Sequence, residues 1–138
     1  MHIVVIDGHG GGIGAVVIKG VRSRLGESVS IDALGTNSIA TSRMMKAGAN
    51  RGATGENAIL RSTAAADIIV GSIAILMANA MMGEMTEKMA AAVASSRARK
   101  ILIPIAQEGV TIVGVSDEPL PHLVDRAVEK IMEDSGDM

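Results

Sequence analysis

No phenylalanine, tyrosine or tryptophan occurs in the chain, and there is no cysteine. Without aromatic rings there is no platform for unstacked bases, which argues against the usual readers of single-stranded nucleic acid. A formal charge of −2, with both signs mixed along the chain, offers no basic face to a duplex. The missing cysteine removes disulfides, thiolate nucleophiles and zinc–cysteine sites together, and fits a reducing compartment. The longest apolar stretch, 68–82, is interrupted by Gly71, Ser72 and Asn79 and is shorter than the ~20 residues of a membrane span. No basic segment precedes the apolar residues 3–6, so no export signal is read. The expectation is a cytoplasmic protein that engages neither nucleic acid nor membrane.

What is present is enough for one domain: 138 residues, with Ile, Val, Leu, Ala and ten Met to fill the core. Short apolar runs at 2–6, 29–34, 49–53 and 67–70 read as strands. Between them, 13–25, 39–47 and 56–63 show helical spacing with Gly26 and Gly48 as stops, and Thr54–Asn57 offer caps to the third. Residues 73–82 are expected to form a helix halted by Gly83, and Thr86 to cap another over 87–96. Residues 100–105 and 110–115 flank Ala106-Gln107-Glu108-Gly109 and read as a hairpin. Pro119 and Pro121 open the last helix, where Leu120, Leu123, Val124, Ala127, Val128, Ile131 and Met132 make an apolar stripe. The pattern predicts a single Rossmann-like three-layer α/β domain over 1–134, with a mostly parallel sheet, an antiparallel edge hairpin and a solvated tail at 135–138.

The candidate site follows the first strand. Gly8, Gly10, Gly11, Gly12 and Gly14 lie in one loop that opens a helix. Strand, glycine loop and helix together turn backbone N–H groups into an anion site, because the first amides of a helix lack internal partners. Gly8 and Gly10 are expected to take positive φ, Gly12 to admit a phosphate, and Gly14 or Ala15 to let the helix lie close on the sheet. Gly8, Gly12 and Gly14 have a spacing that resembles the short-chain dehydrogenase loop, yet without tyrosine the Tyr-x-x-x-Lys pair of that chemistry cannot exist. The string Asp7-Gly8-His9-Gly10-Gly11 resembles a segment of metal-dependent protein phosphatases, whose further Asp-Gly motifs are absent.

If the sheet is doubly wound, the carboxyl ends of its strands gather this loop, Ile13, Thr36, Asn37, Thr54–Asn57, Gly71, Ser72 and Gln107 on one rim. Thr36, Asn37, Thr54 and Asn57 taken singly are helix-capping residues. A nucleotide, a dinucleotide or a related small phosphorylated molecule is the ligand such a rim would take. Asp32 stands near the place of a ribose-binding acid, although two apolar residues follow it, which favours a solvated strand acid. Asp7 either bonds the loop amides or helps hold Mg²⁺ on a bound phosphate. With Glu56 it makes the weak catalytic pair of an alternative reading, a Mg-dependent phosphate or group-transfer enzyme, and His9 is a further acid–base candidate. No metal cluster is read from the sequence. A third reading is a ligand-free homodimeric scaffold or regulatory module, with Met77, Met81, Met82, Met85 and Met89 filling the core or forming the contact. Asn79, set among them, would face the rim, a second subunit or solvent.

Taken together, Ile-Asp-Gly-x-Gly-Gly-Gly-Ile-Gly (6–14), Ala-Leu-Gly-Thr-Asn (33–37) and Gly-Ala-Thr-Gly-Glu-Asn-Ala-Ile (52–59) resemble a bacterial family of short proteins catalogued only as a domain of unknown function. His9 departs from the Gln of that pattern. The resemblance implies a Rossmann-like fold along nearly the whole chain and contributes no activity, substrate or catalytic residue.

Overall fold

In the computed structural model, which describes residues 1–136, the apolar run after Met1 becomes the central strand β1 (His2–Asp7). Ile3 to Ile6 are at most 1% exposed, as a strand covered on both faces requires. The chain continues through α1 (Gly12–Leu25), β2 (Ser30–Gly35), α2 (Ser38–Ala47), β3 (Arg51–Thr54), α3 (Glu56–Ala65) and β4 (Ile68–Ser72). It closes with α4 (Glu87–Ser95), β5 (Arg99–Ile103) and α5 (Leu120–Ser135). The five strands are parallel in the order β3-β2-β1-β4-β5.

Alternation along the strands divides the core. Ile3, Val5, Ile31, Ala33, Ile68 and Val70 face one side, where Val17 and Val21 of α1, Met44 of α2 and Val124, Val128 and Ile131 of α5 cover them. Val4, Ile6, Leu34 and Ile69 face the other, under Ile59 of α3 and Met89 and Val93 of α4. Each fully buried Ile or Val adds about 1.5–3 kcal/mol, so two such layers hold the sheet without aromatic residues. Strand order reverses at β1, because β2 lies on one side of it and β4 on the other. The switch point is therefore at the C-terminal ends of β1 and β4, beside the glycine loop.

Three expectations change here. The hairpin is absent: β5 joins the sheet parallel to β4, and residues 110–115 contribute an isolated antiparallel bridge between Val110 and Gln107. Gly109 and Gly114 turn the chain at both ends of that segment, with φ of 75° and 89°. Val113 is 94% exposed, so the β-branched residues that suggest a strand have no face to pack on. The helix expected over 73–82 ends after one 3₁₀ turn, Ile73–Leu76. Asn79, Met81 and Met82 follow with φ of 68°, 58° and 56°. Met85, fully buried beyond that bend, explains the departure, since a continued helix would carry it away from the core. Finally, the expected tail begins too early: Ser135 still belongs to α5, and Asp134 just before it accepts from Arg99 Nη1 at 2.7 Å. Gly136 caps that helix at φ 79°, and positions 137–138 of the expected tail lie outside the described residues.

Candidate functional site

The loop between β1 and α1 uses its glycines for different reasons. Gly11 caps α1 in the left-handed region at φ 74°, and a side chain there would meet backbone, with Ala40 O at 2.7 Å and Ala40 Cα at 2.8 Å. Gly14 lies against Asp7 Cβ and the sulfur of Met44, so its lack of a side chain seats α1 on β1 and α2. Gly8 is covered by Met81, Thr36 Oγ1 and Glu84 Oε1. The left-handed positions are Gly11 and His9 (φ 48°), in place of the expected Gly8 and Gly10. Gly10 and Gly12 have no packing reason to be glycine, because a methyl on either would meet nothing nearer than the tip of Arg43, at 3.8 and 3.4 Å.

Asp7 ends β1 with both oxygens engaged. Gly8 N–H donates to Oδ1 at 2.8 Å and Gly14 N–H to Oδ2 at 2.7 Å. Burial raises the carboxyl pKa above its ordinary value, while the amides of Gly14, Gly8 and Ile13 and the nearby His9 pull it the other way. Asp7 thus takes amides that a ligand anion would otherwise use. The N–H groups of Gly10 and Gly12 have no partner among the described residues, and the Arg43 guanidinium beside them has no hydrogen bond or ion pair either.

Beyond this loop a cleft of ≈ 630 Å³ opens at the switch point. His9, Ile13, Ser72, Met77, Asn79 and Gln107 are among the residues that line it, with Asp7 at its base. Ser72 is buried and its Oγ accepts from Ala74 N–H at 3.2 Å, capping the 3₁₀ turn. Gly71 is held to glycine by the Ile6 carbonyl, which a Cβ would approach to 2.9 Å. The cleft exceeds the two spaces beside the loop after β5, of ≈ 380 and ≈ 170 Å³.

Thr36 and Asn37 stand on the other side of β1, at the end of β2. Asn37 caps α2 through Oδ1, which accepts from Ala40 N–H at 2.9 Å. Its Nδ2 donates to Glu84 Oε1 at 2.9 Å, and Thr36 Oγ1 donates to the same oxygen at 2.5 Å. His9 N–H adds a third bond at 3.0 Å. These donors, Thr36 first, hold the Glu84 carboxyl below its usual pKa. Glu84 is the principal residue missed by the sequence reading, and nothing near it in the chain signals its position. Arg43 was missed for the same reason.

Other candidates are placed elsewhere. Glu56 Oε1 accepts from Thr86 Oγ1 at 2.6 Å, joining the starts of α3 and α4, and Glu56 does not line the cleft. Among the described residues no group of three or more His, Asp or Glu is arranged to hold a metal ion. Thr54 bonds Thr41 Oγ1 at 2.7 Å in place of capping a helix. Asp32 is neither solvated nor at the strand's end: it is 6% exposed and receives Arg51 Nε at 2.9 Å and Nη2 at 2.7 Å. His2 Nε2 lies 3.0 Å from its Oδ2. Met85 and Met89 belong to the core and Met81 packs over Gly8, so of the expected methionine surface Met82 is the member that is fully exposed, at 96%.

A parallel sheet in this order, with a glycine loop and a cleft at its switch point, defines a Rossmann-like α/β domain. The chain belongs to the family described as "Domain of unknown function (DUF3842)", whose model matches residues 2–135. A solved structure described as a dodecameric FMN-dependent Ubix-like decarboxylase from Escherichia coli O157:H7 shares the fold, with a TM-score of 0.55 and 11% identity. That likeness covers 99% of this chain and 94% of the other. No curated protein matches the sequence. No helix among the described residues is long and apolar enough to cross a membrane.

Proposed function

We propose that the protein binds a small phosphorylated ligand of nucleotide type, with the phosphate at Gly10, Gly12 and Arg43 and the remainder in the switch-point cleft. The observation that carries this reading is the pair Gly10 and Gly12. They are glycines with no steric need to be, with amides that have no partner among the described residues, beside a guanidinium that no carboxylate of those residues neutralises. Backbone amides and an arginine fork are the groups that match phosphate oxygens. His9 and Ile13 connect that position to the cleft, whose walls offer Met77, Asn79 and Gln107 to a base or sugar. The FMN named for the structural neighbour is a nucleotide of this class, and it enters here as one probe among several. The engagement of both oxygens of Asp7, and of Glu56 with Thr86, favours binding over the Mg-dependent chemistry considered from sequence.

The test is thermal stability of the full chain against AMP, GMP, FMN, ribose 5-phosphate, NAD⁺ and FAD. A ligand at ~100 times its dissociation constant stabilises by ~2.7 kcal/mol, a readily measured shift. Gly12→Asp places a carboxylate on the phosphate position and beside Arg43, and the expected result is a folded protein that has lost binding. Loss of the Arg43 contact in Arg43→Ala should weaken binding by about 10–100-fold, the worth of about 1.5–3 kcal/mol for a charged hydrogen bond. A flat panel overturns the reading.

Self-association is part of the same proposal, moved from the methionine segment to the loop after β5. Val110, Ile112, Val113 and Val115 are all at least 39% exposed there, a concentration of apolar surface that a second copy would cover. Sedimentation of the wild type should show an oligomer and Val113→Lys should dissociate it; a monomeric wild type removes this element.

A further inference from the structure

The chain between the 3₁₀ turn and α4, residues 77–86, runs from the end of β4 over the end of β1 to the end of β2. It is a tied strap. Asn79 N–H donates to Met85 O at 2.6 Å, Gly83 N–H to Asn79 O at 3.1 Å and Met85 N–H to Ala80 O at 3.1 Å, with the Met85 side chain fully buried beneath. Its far end is fixed by Glu84 Oε1, on which Thr36 Oγ1, Asn37 Nδ2 and His9 N–H converge. Met81 and Glu84 together lie directly on Gly8, which they bury.

A dinucleotide on a Rossmann-like sheet lies across the switch point, with its pyrophosphate at the glycine loop and one nucleoside on each side of the central strand. Here the strap occupies that path. The cleft lies on the β4 side of it, whereas the end of β2 lies on the other, with the hydrogen-bonding groups of Thr36 and Asn37 already taken. Nor does β2 offer an acid to a second ribose, because Asp32 is buried under Arg51 and His2. The cleft alone, at ≈ 630 Å³, falls within the ~300–1,000 Å³ of ordinary small-molecule sites.

We infer that the strap pinned by Glu84 makes the site a half-site, which takes a mononucleotide or a smaller phosphate ester and rejects dinucleotides. Glu84 is then a specificity-determining residue that acts by holding the strap. This inference rests on the proposed phosphorylated ligand and names its class.

Titration calorimetry with AMP, GMP, FMN, ribose 5-phosphate, NAD⁺ and FAD, on the wild type, Glu84→Ala and Glu84→Gln, tests it. The wild type should bind at least one monophosphate at least tenfold more tightly than either dinucleotide. Glu84→Ala releases the strap and should narrow that gap at least tenfold by gaining dinucleotide affinity, with faster hydrogen exchange at the amides of Asn79, Gly83 and Met85. Glu84→Gln keeps an oxygen for the same donors and should behave as the wild type. If Glu84→Ala does not fold, Thr36→Val removes one of the strap's anchors and serves the same comparison. A wild type that binds NAD⁺ or FAD as tightly as a monophosphate overturns the half-site while leaving the phosphorylated ligand standing. So does an unchanged dinucleotide affinity in a variant whose strap exchanges faster. Failure of every probe on every variant overturns the proposed ligand itself.

Discussion

Gly11→Ala should destabilise the protein by about 3 kcal/mol or more, whereas Gly12→Ala, one position along, should change stability by no more than about 0.5 kcal/mol. Two costs add at Gly11. An L-residue in the left-handed region loses roughly 1–2 kcal/mol, and Gly11 holds φ 74°. The new methyl would also press on Ala40 O at 2.7 Å and Ala40 Cα at 2.8 Å. These are backbone atoms of Ala40, a fully buried residue in the first turn of α2, unable to swing aside, and overpacking of this sort costs about 1–3 kcal/mol. At Gly12 the first atom met is the flexible tip of Arg43, at 3.4 Å, so the methyl is accommodated. Urea unfolding of the two variants checks the contrast. Equal losses would mean that the whole loop is glycine for steric reasons, removing the main support for a phosphate at Gly12.

Asp7→Ala should cost about 2–4 kcal/mol at neutral pH, by leaving the amides of Gly8 and Gly14 without their acceptor at ~1–3 kcal/mol each. Asp7→Asn keeps one acceptor but turns an N–H₂ toward the second amide, and should recover about half of the loss. The pH dependence has an unusual sign for an aspartate. Burial raises the folded-state pKa above the ordinary value of 3.8, so the folded protein holds this proton more tightly than the unfolded chain. The charged form therefore carries a penalty that is fully present above the folded-state pKa and fades as pH falls toward 3.8. The stability gap between wild type and Asp7→Ala should accordingly widen on acidification through that window. Urea unfolding at a series of pH values measures it, and a gap that narrows would show that the amides outweigh burial. Glu84 runs the other way: its pKa is lowered below 4.5 by Thr36, His9 N–H and Asn37, so its contribution is present above that value and lost as pH falls through the lowered one.

How much of this was legible depends on the distance over which each contact is made. The β1–glycine loop–α1 unit could be read because its signals are contiguous: an apolar run, glycines, then helical spacing within Gly12–Leu25. The misread 73–82 segment shows the opposite case. Its apolar spacing fits a helix, but Met85 in the core and Glu84 on Thr36 and Asn37 pull the chain into left-handed turns. The 110–115 segment failed for a related reason, because β-branched composition makes a strand only where a sheet edge and a packing face receive it.

The sequence by itself determined the layer architecture, the parallel sheet, the position of the glycine loop at the first strand's end and a core without aromatic residues. These follow from periodicity and from backbone permissiveness, which are local properties. Only the tertiary structure decided what each loop glycine is for, that Asp32 is an internal ion-pair partner, that Arg43 stands beside Gly12 with no partner among the described residues, and that Glu84 closes over Gly8. The bonds that place Glu84 span 47, 48 and 75 residues of chain. A contact of that kind exists only once the sheet has brought the ends of β1, β2 and β4 together, and no spacing rule along the chain encodes it.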